Sequence, residues 1–361
     1  MAADYELDVE LARGGMASIH LARMKDAGFS RTVAIKRLQP QFAADPEFVE
    51  LFVDEARLAT RLKHPNLVAV LDVVASKGEL LLVMDYVSGA TVHRLPSPVP
   101  PPIAVAIALD ALHGLHSAHE ARDEQGRAMN LVHRDVSPDN LIVGADGVTR
   151  VLDFGVAKAS NSVHVTRDGR VKGKLAYASP EQLRGQPATP RSDVYSLSVV
   201  LWEMLTGRRL IAGDHESAIV EAVLLGPIEA PRISPALDAL VLKGLGRRPE
   251  QRFESAAAMA EQLTQALEPA TRVQVGAWVR AQAGPRLQQE QEWVQRLAAR
   301  APAAVPAAQP DAKTEPVYDV EPTELITSRT QRVDPPKWRW WWLAGPAVLA
   351  LLGYLLFAFS R

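Results

Sequence analysis

The stretch HRDVSPDN spans residues 133–140, and the triplet DFG follows at 153–155. Asp135 offers a carboxylate that can accept a proton, while Asn140 and Asp153 offer oxygen ligands of the kind Mg²⁺ prefers. Phosphoryl transfer from a nucleotide needs a proton acceptor, oxygen ligands for Mg²⁺ and positive charge on the phosphates. Each of these residues alone is a common loop residue, but their order and spacing together indicate this chemistry.

Upstream segments offer the positive charge and a phosphate-binding turn. Lys36 stands in the apolar segment TVAIKRL, where a lysine usually points to solvent. If it pairs with Glu55, on the next predicted helix, its ammonium group is held for a phosphate. The segment LARGGMASIH at 11–20 has two glycines, and such a turn lets backbone N–H groups approach phosphate oxygens. By itself this segment fits an ordinary hairpin turn better.

In this order the segments match the protein-kinase signature set, and the chain resembles bacterial eukaryotic-like serine/threonine protein kinases, especially those with a C-terminal membrane anchor. The resemblance covers about residues 5–267. It implies an α+β, two-lobed protein kinase fold, with a small β-rich N-lobe and a large helical C-lobe. Further matching segments are HPNLV at 64–68, MDYV at 84–87, SPE at 179–181, DVYS at 193–196 and RRPEQRF at 247–253.

The periodicity of apolar residues agrees with this fold. Strands are predicted at residues 7–12, 18–23, 32–38, 67–75 and 79–87, with a helix from 48 to 62. Helices are predicted at residues 103–119, 192–207, 215–226 and 255–267. The proline cluster at 96–102 predicts a surface loop between the two regions. Strands followed by helices favour an α+β protein with two lobes.

The resemblance implies a role for each matching residue. Asp135 would be the catalytic base, and Lys36 would contact the α- and β-phosphates and pair with Glu55. Asn140 and Asp153 would hold Mg²⁺, or Mn²⁺ as the alternative ion, and ATP is the implied cosubstrate. The nucleotide would contact the glycine-rich turn, the adenine-facing positions and the segment that joins the lobes: Leu11, Ala12, Arg13, Gly14, Gly15, Met16, Ala17, Ser18, Ile19, Ala34, Lys36, Met84, Asp85, Val87 and Ile142.

Other matching residues imply regulation and structure. Arg134 is of the type that pairs with a phosphate on the activation loop, and Thr166 is the first candidate for that phosphate. Unmodified loop residues are the favoured interpretation of Ser160 and Ser162. The structural positions implied are the ion pair between Glu181 and Arg252 and the start of a helix at Asp193.

The sequence departs from the family pattern in two places. Of the three glycines usual in the turn only Gly14 is kept, and we expect nucleotide binding to survive this change. Ser137 stands where the family has a lysine that offsets charge on the transferred phosphoryl group. Lys174 stands where the family has a threonine close to that lysine. Either Lys174 reaches back as a catalytic residue and supplies the missing cation, or it faces solvent.

An active, membrane-anchored serine/threonine kinase is therefore the favoured function. The alternative is a pseudokinase, a tethered module that binds nucleotide or a partner without transferring phosphate, because Ser137 and the altered turn depart from the pattern. A kinase for small molecules is less favoured, because Glu181 and Arg252 resemble protein kinases. Tyrosine as the main target is also less favoured, because the catalytic loop lacks the arginine arrangement of tyrosine kinases.

The composition excludes several other classes of protein. The 361 residues are 47% hydrophobic and 23% charged, which excludes wholesale disorder. The 40 Lys and Arg against 42 Asp and Glu give a net charge of −2, so we expect no nucleic-acid partner. The chain has no cysteine, which excludes disulfide scaffolds, thiolate metal sites and cysteine nucleophiles.

The last quarter of the chain predicts three further segments. Residues 268–299 predict a helical extension of one or two helices, and 300–337 a Pro-rich disordered linker. Residues 338–361 predict a transmembrane anchor, because 340–359 carry no charge and make a helix about 30 Å long. A buried core helix is the alternative, and it is less favoured because soluble core helices are rarely apolar on every side.

Flanking lysine and arginine residues set the orientation of the anchor. Lys337 and Arg339 lie at its start, beside several tryptophans, and leave residues 1–337 in the cytoplasm, on a single-pass protein of the cytoplasmic membrane. The implied partners are ATP, protein substrates that include a second copy of the chain in trans, and the lipid bilayer through residues 338–361.

Overall fold

The computed structural model describes residues 4–15, 17–26, 29–43, 49–50, 52–53, 56, 59–76, 79–153 and 174–299. All of them belong to one compact unit, Met1–Ala303, and a second unit, Ala304–Arg361, is outside the described residues. The predicted linker at 300–337 and the predicted anchor at 338–361 therefore lie outside them as well. In the described residues, no helix is both long enough and apolar enough to cross a bilayer.

Within the described residues, the N-lobe is a five-stranded antiparallel sheet in the order β1-β2-β3-β5-β4. Its strands are β1 Asp4–Arg13, β2 Ala17–Asp26, β3 Phe29–Leu38, β4 Val70–Ser76 and β5 Glu79–Asp85. Successive side chains of a strand point to opposite faces. Val33 and Ile35 therefore pack on one face, while Ala34 packs on the other, beside Met84. The predicted strands are confirmed.

The predicted helix at 48–62 falls mostly outside the described residues. A short helix, α1 at Pro40–Ala43, follows β3. Phe52 and Ala56 are helical, buried and packed against the face of the sheet that carries Ala34. Glu55 lies outside the described residues.

The C-lobe is helical. Its helices are α2 Pro101–His119, α3 Pro180–Leu183, α4 Pro190–Thr206, α5 Glu216–Leu225, α6 Pro235–Gly244, α7 Ala256–Ala266 and α8 Arg272–Ala299. The central helix α4 is buried along almost its whole length and contacts α2, α6 and α7. It ends at Gly207, whose φ of 70° is a conformation that glycine adopts without strain. The four predicted C-lobe helices are confirmed, whereas α3 and α6 were not predicted.

A small sheet of the C-lobe positions the catalytic segments. Within the described residues it has three antiparallel strands, β6 Gly89–Thr91, β7 Leu141–Gly144 and β8 Thr149–Val151, in chain order. The stretch 133–140 runs directly into β7, and Asp153 follows β8 by two residues. The spacing of apolar residues does not predict this sheet, because its strands have only three or four residues.

The prediction of a surface loop at 96–102 is wrong for the last two residues of that segment. Pro101 and Pro102 form the first turn of α2, where a missing N–H costs no helical hydrogen bond and the fixed φ suits a helix. Val99 is buried and donates its N–H to the carbonyl oxygen of Met204 at 2.7 Å. The proline segment is therefore bound to the C-lobe core.

Candidate active site

The catalytic loop, residues 133–140, is anchored by Asp193, which lies in the first turn of α4. The Asp193 carboxylate is fully buried and accepts the backbone N–H groups of His133 at 2.8 Å and Arg134 at 2.9 Å. It also contacts Nε2 of His119 at 2.8 Å. Arg134 has a φ of 64°, a costly conformation for a residue with a side chain, and these hydrogen bonds stabilise it.

Asp135 is the centre of the candidate site. Asn140 donates from Nδ2 to the Asp135 backbone oxygen at 2.7 Å and to its carboxylate at 3.1 Å. Lys174 donates from Nζ to the same carboxylate oxygen at 2.6 Å. The Asp135 side chain is only 12% exposed, so a proton acceptor is held in a fixed orientation at the edge of solvent.

An ion pair between Lys36 and Asp153 crosses from one lobe to the other. Lys36 extends from β3 in the N-lobe, and Asp153 follows β8 in the C-lobe. Their side chains form an ion pair, with Nζ 3.2 Å from Oδ1. Asp153 has a φ of 44°, an uncommon value for a non-glycine residue, and such values are concentrated at functional sites.

The structure describes both residues that depart from the family pattern, Lys174 beside Asp135 and the buried Ser137. The Lys174 side chain is 48% exposed, so its partial burial opposes the charged form only in part. The carboxylates of Asp135 and Asp153 outweigh that effect and raise the pKa of Lys174. Lys174 is therefore a cation at neutral pH. Ser137 is buried, and its hydroxyl oxygen has no hydrogen-bond partner in the described part of the chain.

The glycine-rich turn joins β1 to β2. Gly14 donates its N–H to the carbonyl oxygen of Ala17 at 2.8 Å, and Gln39 donates to the Gly14 oxygen at 2.9 Å. Arg13 is exposed and is hydrogen-bonded to Glu10. The hydrogen bond between Gly14 and Ala17 is typical of a hairpin. The segment therefore still fits both an ordinary hairpin turn and a phosphate-binding turn. Met16 lies outside the described residues.

The predicted adenine-facing residues come from both lobes. Ile19, Ala34 and Met84 pack in one cluster of the N-lobe sheet. Ile142 lies on β7 in the C-lobe. The joining segment leaves β5 at Asp85, which donates its N–H to the Ala69 oxygen at 2.9 Å.

The donors at the site suit a magnesium–nucleotide complex. In the described residues no three His, Asp or Glu side chains converge on a possible metal site. Mg²⁺, however, usually takes one or two protein oxygens and completes its shell with phosphate and water. Asn140 commits its Nδ2 to Asp135, which leaves its amide oxygen as an acceptor, and Asp153 adds a carboxylate. These two residues could hold the ion, with Lys36 beside the phosphates.

The remaining predicted site residues are structural and regulatory. Arg252 donates two hydrogen bonds of 2.7 Å to the carboxylate of Glu181, and Ser192 adds a third at 2.6 Å. Burial would raise the pKa of Glu181, but these hydrogen bonds lower it to about 2. Arg134 has a buried Nε without a hydrogen-bond partner in the described part, and Thr166 lies outside that part.

Some supporting residues carry no sequence signal. His119 ends α2 and contacts Asp193, 74 positions away. Gln182 donates to the Arg134 backbone oxygen at 3.1 Å. Both residue types are common on helix surfaces, so only the tertiary structure connects them to the catalytic loop.

The chain is similar to known protein kinases. Residues 5–265 match the family model described as protein kinase domain. The chain is 42% identical to tyrosine-protein kinase MasK of Myxococcus xanthus and 40% identical to serine/threonine-protein kinase PknB of Mycobacterium leprae, each over 272 residues. Each alignment covers 72% of this chain and 42% of the relative. The chain thus spans less than half the length of these two relatives.

A solved structure agrees with the fold. The crystal structure of the Mycobacterium tuberculosis PknI kinase domain has a TM-score of 0.54 and 26% identity, and the match covers 73% of this chain and 96% of that chain. The family match spans both lobes, from β1 to the last turn of α7. This chain therefore belongs to the protein kinase family.

Proposed function

We propose that this protein transfers the γ-phosphoryl group of ATP to serine and threonine hydroxyls of proteins. The observation that carries the proposal is the convergence of two pairs at the junction of the lobes. One pair is Lys36 with Asp153, at 3.2 Å, and the other is Asp135 with Asn140, at 3.1 Å. They are the cation, the oxygen ligands and the proton acceptor that phosphoryl transfer requires.

Each of these four residues has a defined role in the proposed reaction. Asp135 accepts the proton of the substrate hydroxyl as that oxygen attacks the γ-phosphorus. Lys36 binds the α- and β-phosphates and pairs with Glu55. Asn140 and Asp153 hold Mg²⁺, which when bound neutralises charge on the phosphates. The turn at 11–18 covers the phosphates.

The adenine has its own proposed contacts. Ile19, Ala34 and Ile142 enclose the ring, and the backbone groups of Asp85 and Val87 bond to its edge. Met84 lies beside this position, near the end of β5 and just before the segment that joins the lobes.

Lys174 replaces the family's lysine in this proposal. Its Nζ lies 2.6 Å from the carboxylate that accepts the proton, and its raised pKa keeps it charged. It would therefore offset charge on the transferred phosphoryl group, the task that Ser137 cannot perform. Arg134 would bind a phosphate on Thr166.

The class of acceptor hydroxyl belongs to the same proposal. One relative is named a tyrosine kinase and the other a serine/threonine kinase, so family membership leaves the choice open. The absence of the tyrosine-kinase arginine pattern from residues 133–140 favours serine and threonine.

We further propose that residues 338–361 anchor the protein in the cytoplasmic membrane, with the kinase domain of about 5–267 and the extension of 268–299 on the cytoplasmic side. The support is the uncharged run at 340–359 and the basic residues at its start. The linker at 300–337 would connect the two. Anchoring would concentrate neighbouring copies and favour phosphorylation in trans.

The test is phosphate transfer by a chain that ends at residue 300, because Met1–Ala303 forms one compact unit. We would supply MgATP and a generic basic protein, and locate phosphate by mass spectrometry. We expect phosphoserine and phosphothreonine, with loss of incorporation in Asp135→Asn. The exposed Asp214→Asn, with the same change of charge, should retain activity.

A second candidate function is a nucleotide-binding module without transferase activity. The buried Ser137, in place of the family's lysine, is the observation that favours it. Bound nucleotide without transfer, in the wild-type chain, would support this function and contradict the kinase proposal. Phosphotyrosine as the main product would contradict the proposed acceptor class alone.

A further inference from the structure

Helix α8 contacts both lobes of the kinase domain. Near its start, Gly276 and Arg280 lie against the backbone oxygen of Ala145, just after β7 of the C-lobe. Near its end, the carbonyl oxygen of Leu297 accepts a hydrogen bond of 2.9 Å from Arg23, a buried residue on β2 of the N-lobe. At about 1.5 Å per residue, the helix between these contacts is about 30 Å long.

Between these two ends, α8 contacts the segment that joins the lobes. Tyr86 donates its hydroxyl to the carboxylate of Glu290 at 2.9 Å. Arg286, one turn earlier on α8, donates to the other carboxylate oxygen at 2.7 Å. Tyr86 stands between Asp85 and Val87, whose backbone groups are the proposed adenine contacts.

The contact is built into the fold rather than formed on an open surface. The Glu290 side chain is only 4% exposed, and a buried carboxylate is costly unless it is paired and hydrogen-bonded. Tyr86 and Arg286 supply those partners. Burial and the Glu290 carboxylate both raise the pKa of Tyr86, so its hydroxyl keeps the proton that it donates.

The helix is also continuous where its sequence would break it. Gly284 and Pro285 stand in its middle, and an internal proline costs a helix about 3 kcal/mol. Ala283 and Leu287, on either side, are buried against the domain. Tertiary contacts therefore maintain the helix, and its two halves depend on the two lobes.

We propose that α8 is a brace that fixes the segment joining the lobes, and that Glu290, through Tyr86, is a positioning residue for nucleotide binding. The identity of the nucleotide rests on the proposed function. A segment that is already held in its binding conformation loses less conformational entropy when the adenine binds. Removing the contact should therefore weaken binding more than it slows the transfer step.

The experiment compares Tyr86→Phe and Glu290→Leu in the full chain, because neither phenylalanine nor leucine can form the hydrogen bond between these two positions. Hydrogen exchange would be measured over residues 84–91, the affinity for MgADP by calorimetry, and kcat and KM for ATP by phosphate transfer. Two matched controls are available. Tyr5→Phe removes another tyrosine–carboxylate hydrogen bond, to Asp72 in the N-lobe, and Glu292→Leu removes an exposed carboxylate of α8.

We expect faster exchange at 84–91 in both test variants, a three- to tenfold weaker affinity for MgADP, a similar rise in KM and a kcat within twofold of wild type. The double variant should resemble the single variants, because both remove the same contact. The two controls should leave exchange and affinity unchanged.

Unchanged exchange and unchanged affinity in both test variants would overturn the proposal, even if thermal stability fell, because α8 would then be a structural helix only. Failure of the proposed function has a different signature. If the wild type transfers no phosphate but Tyr86→Phe still speeds exchange and weakens MgADP binding, the transferase proposal fails and the brace remains.

Discussion

Asn140 and Lys174 both bond to the carboxylate of Asp135, and each limits what this carboxylate can do. Asn140 holds it in one orientation, and Lys174 places a cation 2.6 Å from its oxygen. In the proposed reaction the same cation would offset negative charge on the transferred phosphoryl group.

The first prediction concerns Lys174. Lys174→Ala should reduce kcat at least about tenfold, the scale for losing one contact that stabilises transition-state charge. Ser137→Lys in that background should restore part of the rate, because it returns the cation to the family's position. Turnover would be measured with saturating MgATP, and Lys63→Ala, which removes an exposed lysine of the N-lobe, is the control. Unchanged turnover in Lys174→Ala would eliminate this role.

The second prediction concerns the buried pair of Glu181 and Arg252. Glu181→Gln should lower the free energy of unfolding at pH 7 by about 3–5 kcal/mol, because Arg252 would remain buried without its counter-ion. Urea unfolding would measure the change. The exposed Glu250→Gln is the control, and it should change stability by less than about 0.5 kcal/mol.

The same pair predicts a pH dependence. The pKa of Glu181 falls from an ordinary value of 4.5 to about 2 in the folded protein. Its contribution to stability is therefore present above pH 4.5 and is lost as pH falls towards 2. The difference in stability between wild type and Glu181→Gln should narrow over that window. A constant difference from pH 5 to pH 2.5 would contradict this assignment.

At the scale of elements, the packing of helix α8 explains a glycine that helix propensity alone would not favour. Helix α8 has an apolar spacing that predicts a helix, yet Gly276 on its buried face is a poor helix former. A side-chain carbon added at Gly276 would lie 2.7 Å from the backbone oxygen of Ala145. The glycine is therefore required by the close approach of the helix to the turn after β7.

The third prediction separates packing from helix propensity. Gly276→Ala should destabilise the protein although alanine is the better helix former by about 1 kcal/mol, because the Ala145 oxygen must move. Ala277→Gly, at the neighbouring exposed position, measures the propensity difference in the same helix. Thermal unfolding would compare the two. A stabilised Gly276→Ala variant would show that the helix can shift away from the turn at little cost.

At the scale of the whole molecule, the two lobes are connected at several places. The pair of Lys36 and Asp153 crosses between them, the bridge of Leu67 with Val151 joins the segment before β4 to β8, and α8 contacts both. The residues that carry the proposed transfer reaction therefore come from both lobes, Lys36 from the N-lobe and Asp135, Asn140 and Asp153 from the C-lobe. Residues beyond 300 would determine where that reaction takes place.

The fourth prediction tests the proposed anchor. The full chain should sediment with phospholipid vesicles, and a chain that ends at residue 300 should stay in the supernatant, because it lacks the uncharged run at 340–359. On vesicles, the full chain should also autophosphorylate faster than the shorter chain at equal bulk concentration. Equal rates would contradict the proposed role of anchoring, and equal sedimentation would contradict the anchor itself.

The protein kinase family, the five strands of the N-lobe, four helices of the C-lobe and the chemical types at residues 36, 135, 140 and 153 could all be predicted from the sequence alone. Local rules suffice for these results, since a strand or helix is recorded in the spacing of neighbouring apolar residues and the signature residues stand in short motifs. The strands of the small sheet were missed because three or four residues are too few to show a period.

Which distant residues meet depends on the packing of the folded chain. Lys174 lies 39 positions from Asp135, His119 lies 74 from Asp193, and Glu290 lies 204 from Tyr86. No local pattern encodes such contacts, because each depends on how separate elements pack around α4 and along α8. The family resemblance leaves two interpretations of Lys174 open, and its contact with Asp135 appears only in the structure. His119 and Glu290 carry no sequence signal for their contacts with Asp193 and Tyr86.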